Sequence, residues 1–252
     1  MRAFTVYVGG CGITIRCDCE EIARDLNTHL LPWLPRTSET SAALVFSVTR
    51  AAEPRRFRIA TQDAVIAHSE QWPYLFTALQ QAVDEVMIQR LTGQAAVHAG
   101  VVAWRGSGIL LPGSSGSGKT ELVAELVRRG AEYFSDEYAL VDADGLVHPY
   151  PRALMVRDGG GLQHPVLPAR FAAQALPAGL ILSIRYQAGA TFQVERISHS
   201  EALLGLLRNT PHVLAEKPEI MAPLRAAADR AGSFVGTRGE AGDAAQRILE
   251  MV

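Results

Sequence analysis

Residues 110–122 read LLPGSSGSGKTEL, and the fold turns on how that stretch is understood. Gly113, Gly118, Lys119 and Thr120 stand at the spacing G-x-x-x-x-G-K-T. A loop of this kind binds phosphate through its backbone: successive N–H groups converge on the oxygens, and the glycines allow the turns this requires. The setting is the one such a loop needs. An apolar strand, GILLP, precedes it, and the helix TELVAELVRRG follows, with Val123, Leu126 and Val127 on its apolar side. The positive end of that helix then faces the anion. The expected cofactor-binding set is therefore Gly113, Ser114, Ser115, Gly116, Ser117, Gly118, Lys119 and Thr120. Lys119 would reach the β- and γ-phosphates of ATP, and the Thr120 hydroxyl would ligate Mg²⁺.

Working outward, AAVHAGVVAW and GILLP read as two strands meeting at Arg105-Gly106-Ser107. After the helix come a short strand, AEYFS, and a hairpin around Asp144-Gly145. The Gly- and Pro-rich stretch RDGGGLQHPVLPARF reads as a mobile loop. Strands at LILSIRY and TFQVERI follow, with helices at SEALLGLL, near EIMAPLRAAADR, and at the C-terminal end. The first hundred residues have their own pattern. Strands AFTVYV, GITIRC, ALVFSVT, RFRIA and AVIAHS accompany a helix with Ile22, Leu26, Leu30 and Leu31 on one side and a long helix carrying Leu75, Leu79, Val83 and Ile88. The fold class read from this is α/β (α+β mixed): an N-terminal α+β domain of unknown role over residues 1–94, then a phosphate-loop core over residues 95–252.

Transfer of a phosphoryl group to a hydroxyl also needs a carboxylate to accept the proton. Ser135-Asp136-Glu137 ends the strand AEYFS, and a strand beside the loop's own strand ends near the phosphates. Asp142, ending the apolar run ALVD, is the competing metal carboxylate, and Asp144 before Gly145 is a turn residue. Location favours Asp136 and Glu137. Among arginines, Arg152 is the first candidate for contact with transferring phosphoryl charge, ahead of Arg157 and Arg185.

The stretch HAGVVAWRGSGILLPGSSGSGKTELVAELVRRGAEYFSDEYALVD resembles the catalytic core of HPr kinase/phosphorylase and related proteins, whose fold is similar to the nucleotide-binding core of phosphoenolpyruvate carboxykinase. The likeness covers residues 97–142 and continues weakly through HPYPRALMVR and LILSIRYQAG to RISHSEALLGLLRN. It implies that Asp136 is the general base, that His98 lies near the phosphates, and that Glu121 and Glu137 support the metal. Glu137 stands where the family has a second Asp. No Arg-Pro-Gly-Arg segment follows, so the resemblance is to HPr-kinase-like proteins of other substrate range, including modifying kinases of the lasso peptide type. It implies a cytoplasmic Mg-ATP-dependent serine kinase, with a protein or peptide carrying a Ser/Thr hydroxyl as partner and with homo-oligomers in the family. The rival readings are a small-molecule kinase of the same core and a non-catalytic nucleotide-sensing module.

Composition narrows the classes. A net charge of −2 offers no broad basic field for nucleic acid or anionic membrane. Among the 24 basic residues, only Lys119 and Lys217 are lysines, so a lysine inside the loop carries weight. The start MRAFTVYVGGCG has no long apolar region with a cleavage site, and no stretch reaches the roughly 18 apolar residues of a membrane span. Cys11, Cys17 and Cys19 read as thiols flanking strands in a reducing compartment.

Overall fold

A computed structural model describes residues 1–8, 11–30, 44–50, 57–114, 116–150, 152–157, 163–166, 170–212 and 217–252. The fold is mixed α/β, and the chain divides into two compact units: Met1–Leu91 with Met155–Leu167, and Thr92–Leu154 with Pro168–Val252. The division is not a single cut, because residues 155–167 of the later sequence belong with the first unit.

The first unit is built on a five-stranded sheet. Strands β1 (Arg2–Val8) and β2 (Cys11–Cys17) pair antiparallel, helix α1 (Glu20–His29) crosses over, and β3 (Leu44–Arg50) returns parallel to β2. Strands β4 (Phe57–Ala60) and β5 (Val65–Ser69) complete the order β1-β2-β3-β4-β5. Helix α2 (Trp72–Arg90) packs on β4 and β5 and buries Leu75, Phe76, Leu79 and Val83, the helical spacing read from the sequence. Of the three aromatic residues at its start, Phe76 is in the core, Trp72 donates its indole N–H to Asp25 at 2.5 Å, and Tyr74 is 60% exposed. Cys17 is a buried free thiol, and burial raises its pKa.

The second unit begins with β6 (Gln94–Trp104), which turns at Arg105-Gly106 into antiparallel β7 (Ser107–Pro112). The Gly-rich loop leads to α3 (Lys119–Arg128). Strands β8 (Glu132–Ser135), β9 (Tyr138–Asp142) and β10 (Leu146–His148) follow. Next in the chain come β11 (Leu154–Arg157) and β12 (Gln163–Val166), a separate two-stranded sheet whose residues from Met155 on belong to the first unit. The stretch expected to be a mobile loop thus contains strand β12; its residues 158–162 and 167–169 lie outside the described residues. Then come β13 (Leu176–Tyr186), β14 (Gln193–Arg196), α4 (His199–Arg208), α5 (Met221–Arg230), β15 (Gly232–Arg238) and α6 (Ala241–Glu250).

Strand β6 holds the unit together because it is long enough to change partners. Its first half pairs with β9 and its second half with β8, both antiparallel, while β7 runs along its other edge. Strand β10 pairs with both β9 and β13, so β6, β7, β13, β10 and β9 close into a ring. Beyond it, β7, β13 and β15 are parallel neighbours, and all three end on the side where the Gly-rich loop leaves β7. Ile109, Leu110 and Leu111 of β7 and Leu180, Ile181 and Leu182 of β13 are buried. These strands read as unbroken apolar runs because both faces are covered. Helix α3 buries Leu122, Val123 and Leu126 against β6 and α6, each contributing about 1.5–3 kcal/mol. No described helix is long and apolar enough to cross a membrane.

Candidate functional site

The loop from Gly113 to Thr120 bends through two left-handed glycines, Gly116 and Gly118, each at φ +81°. Gly118 caps α3, so the free N–H groups of the first helical turn open onto the loop. Ser115 lies outside the described residues. Lys119 folds back, and its Nζ donates to the carbonyls of Gly113 at 2.8 Å and Ser114 at 2.9 Å. Burial lowers the Lys119 pKa, against the opposing pull of Glu137 and Asp136. The Ser117 hydroxyl is buried and has no hydrogen-bond partner among the described residues.

The carboxylates arrive from the corner between β8 and β9. Ser135 is fully buried, and its hydroxyl accepts from the backbone N–H of Glu137 at 3.2 Å and of Tyr138 at 3.1 Å. This local turn breaks the strand and turns Asp136 and Glu137 toward the loop. Asp136 is 5% exposed. It accepts from the Tyr133 hydroxyl at 3.0 Å and from the Thr120 hydroxyl at 3.4 Å. Burial raises the Asp136 pKa, and Glu137 adds to the rise; the Arg152 guanidinium and the Tyr133 hydrogen bond oppose it. Arg152 is itself 7% exposed. Tyr133, wholly buried beside Asp136, is pushed far above the ordinary tyrosine range and so stays a neutral donor.

His98 ties the parts together. Its Nδ1 lies 2.8 Å from the Gly113 carbonyl and its Nε2 lies 2.9 Å from Glu137 Oε1. The carbonyl can only accept, so Nδ1 donates, and Nε2 faces the Glu137 carboxylate. Burial works to raise the Glu137 pKa, but the His98 hydrogen bond and the charges of Arg152, His98 and Lys119 outweigh it and leave it lowered.

The structure therefore brings together His98, Lys119, Thr120, Asp136, Glu137 and Arg152. Glu121 stands apart: it is exposed, and its carboxylate interacts with Arg238 rather than with Asp136. Asp142, the competing carboxylate, is spent on its own hairpin. It accepts from the N–H groups of Asp144 and Leu146, each at 3.0 Å, and from His148 Nε2 at 2.6 Å. It pairs with Gln94 in the register, whereas the site is at His98, about 13 Å along β6. Arg185 is exposed, and the side chain of Arg157 lies outside the described residues.

Two residues here escape sequence reasoning, Tyr133 and Arg238, as does the turn that Ser135 makes. Arg238 ends β15, is 3% exposed, and donates to the Gly118 carbonyl at 2.8 Å. Nothing local marks it, because it reaches the loop through a strand 120 residues away. Among the described residues, no group of three or more His, Cys, Asp or Glu is placed to hold a metal unaided.

A mixed α/β core with a Gly-rich loop at a helix N-terminus, flanked by the buried Asp136 and the half-buried Glu137, defines the class of site. Over 109 residues the chain is 32% identical to the proteins described as HPr kinase/phosphorylase from Limosilactobacillus reuteri strain DSM 20016 and L. reuteri subsp. reuteri strain JCM 1112. The match takes in 40% of this chain and 32% of each relative, so the chain spans about a third of the length of the curated relatives it matches. The likeness to HPr kinase/phosphorylase is distant and partial. No family profile matches the chain.

Proposed function

We propose that this protein is a Mg²⁺- and ATP-dependent kinase that transfers a phosphoryl group to a hydroxyl, the Ser or Thr of a protein or peptide. One observation carries the reading: Asp136, a buried carboxylate with a raised pKa, meets the Thr120 hydroxyl at the end of the Gly-rich loop. The protein substrate class follows the HPr kinase likeness.

The residues present fit the groups this reaction needs. Ser117 offers an unused buried hydroxyl, and Lys119 offers an ammonium whose bonds to two carbonyls can be exchanged for phosphate oxygens. Thr120 and Glu137 would supply hard oxygen donors of the type Mg²⁺ takes, with substrate phosphate completing the shell. When bound, the cation neutralises charge on the β- and γ-phosphates. Asp136 orients the acceptor hydroxyl and takes its proton as the oxygen bonds to the γ-phosphorus. The bond from the γ-phosphorus to the bridging oxygen breaks, and its electron pair leaves with ADP. A raised pKa makes Asp136 a better base than an ordinary carboxylate. His98 and Arg152 hold Glu137 ionised beside it.

The test is transfer of label from γ-labelled Mg·ATP into protein, peptide and small-molecule fractions of the source cells, with Asp136→Asn as control. Label in protein or peptide with the wild type alone supports the reading. Equal labelling by both forms overturns the role of Asp136, and label confined to small molecules overturns the substrate class.

A further inference from the structure

The sheet order assigns the two sides of the loop different tasks. On the β6 and β8 side stand His98, Asp136 and Glu137, the groups given to the transfer step. On the other side β7 is followed by β13 and then β15, both parallel to it and ending at the loop. A nucleotide laid across the loop with its γ-phosphate toward Asp136 must run its nucleoside the other way, over the ends of β13 and β15. Ligands of open parallel sheets lie beyond the carboxyl ends of the strands in this manner.

What stands there is an aromatic ring already held in place. Tyr186 and Arg238 are opposite each other in the register. The Arg238 guanidinium lies 5.2 Å from the centre of the Tyr186 ring and bonds the Gly118 carbonyl at 2.8 Å. The Tyr186 hydroxyl donates to Glu240 Oε1 at 3.1 Å. The ring nonetheless remains 43% exposed. Leu182 and Ile184, which share a face of β13 with Tyr186, line a small recess beside the loop together with Gly118, Lys119 and Arg238. The cluster is one guanidinium removed from the loop, which suits the span between the phosphates and the base of one nucleotide.

We infer that Tyr186, braced by Arg238 and Glu240, is the platform on which the base of the nucleotide stacks, with the Glu240 carboxylate placed to accept from a nucleoside hydroxyl or amine. A stacked base is sequence-tolerant, since every base offers a π-face, so the platform selects for a nucleoside and not for a particular one. This inference rests on the nucleotide reading of the loop.

The experiment is isothermal titration of the full chain with Mg·ATP and with Mg·inorganic triphosphate, which carries the phosphates without a nucleoside. The wild type is expected to bind ATP more tightly than triphosphate. Tyr186→Ala should weaken ATP about tenfold and leave triphosphate unchanged. Tyr186→Phe should retain the wild-type gap, and thermal unfolding of each variant checks that it is folded. Equal affinity of the wild type for the two ligands overturns the platform. So does a gap that survives Tyr186→Ala, or equal loss of both ligands in that variant, which would make Tyr186 a support for the loop. Failure of the wild type to bind either ligand overturns the nucleotide reading itself.

Discussion

Gly118 and Gly116 share the same φ of +81°, yet their surroundings differ, and that difference is measurable. A Cβ at Gly116 meets nothing within 4 Å. A Cβ at Gly118 falls 2.4 Å from Arg238 Nη2, the atom that donates to the Gly118 carbonyl. Gly116→Ala therefore carries backbone strain alone, about 1–2 kcal/mol for a left-handed non-glycine residue. Gly118→Ala carries the same strain and also displaces a buried guanidinium from its carbonyl, a loss of about 1.5–3 kcal/mol for a charged hydrogen bond, so about 2.5–5 kcal/mol in all. Urea denaturation of both variants, with hydrogen exchange at the first turn of α3 as a local probe, reads these costs. In an Arg238→Ala background, Gly118→Ala should fall back to the strain cost, giving a coupling of about 2 kcal/mol between the two sites. Equal costs for the two glycine substitutions, or no coupling with Arg238, would refute the argument that Arg238 pins the loop.

Asp136→Asn should lower transfer by about 10²–10⁴-fold while nucleotide affinity by titration is kept. The same substitution has a stability signature. The folded-state pKa of Asp136 is raised above 3.8, so the contribution of its protonated form is fully present below that value and is lost as pH rises through the folded pKa. The stability of the wild type relative to Asp136→Asn should thus decline with pH over that window, as followed by thermal unfolding. Tyr133→Phe removes a hydrogen bond that lowers the Asp136 pKa, and the acid limb of the transfer rate should move to higher pH. Asp142→Ala should unsettle the hairpin between β9 and β10 in hydrogen exchange but leave transfer within about twofold, because its carboxylate serves only that turn and His148 among the described residues.

The strand–loop–helix at the site was legible because each part has a local cause. GILLP is apolar, the glycines permit left-handed turns, and the helix after Lys119 has apolar residues at helical spacing. Helices α2, α4, α5 and α6 were legible for the same reason. The stretch at residues 158–167 was less so: its Gly and Pro content suggests a loop, yet Gln163–Val166 pairs with Leu154–Arg157. Composition reports how freely a chain can turn; whether a partner strand lies in reach is a different matter.

Sequence by itself determined the strand–loop–helix, the chemical types available around it, and the placement of Asp136 rather than Asp142 beside the loop. Each of these depends on residues close together in the chain. Tertiary structure alone decided what those residues do to one another. The closure of β6, β7, β13, β10 and β9 sets His98 between Gly113 and Glu137. The Ser135 turn carries Asp136 into the interior, where its own burial moves its pKa upward against the Arg152 charge and the Tyr133 hydrogen bond. The parallel run of β7, β13 and β15 delivers Arg238 to Gly118. A pKa depends on burial and on charges a few ångströms away, and a parallel strand pairing depends on chain that returns after a long crossover. Neither quantity is written in any short window of sequence.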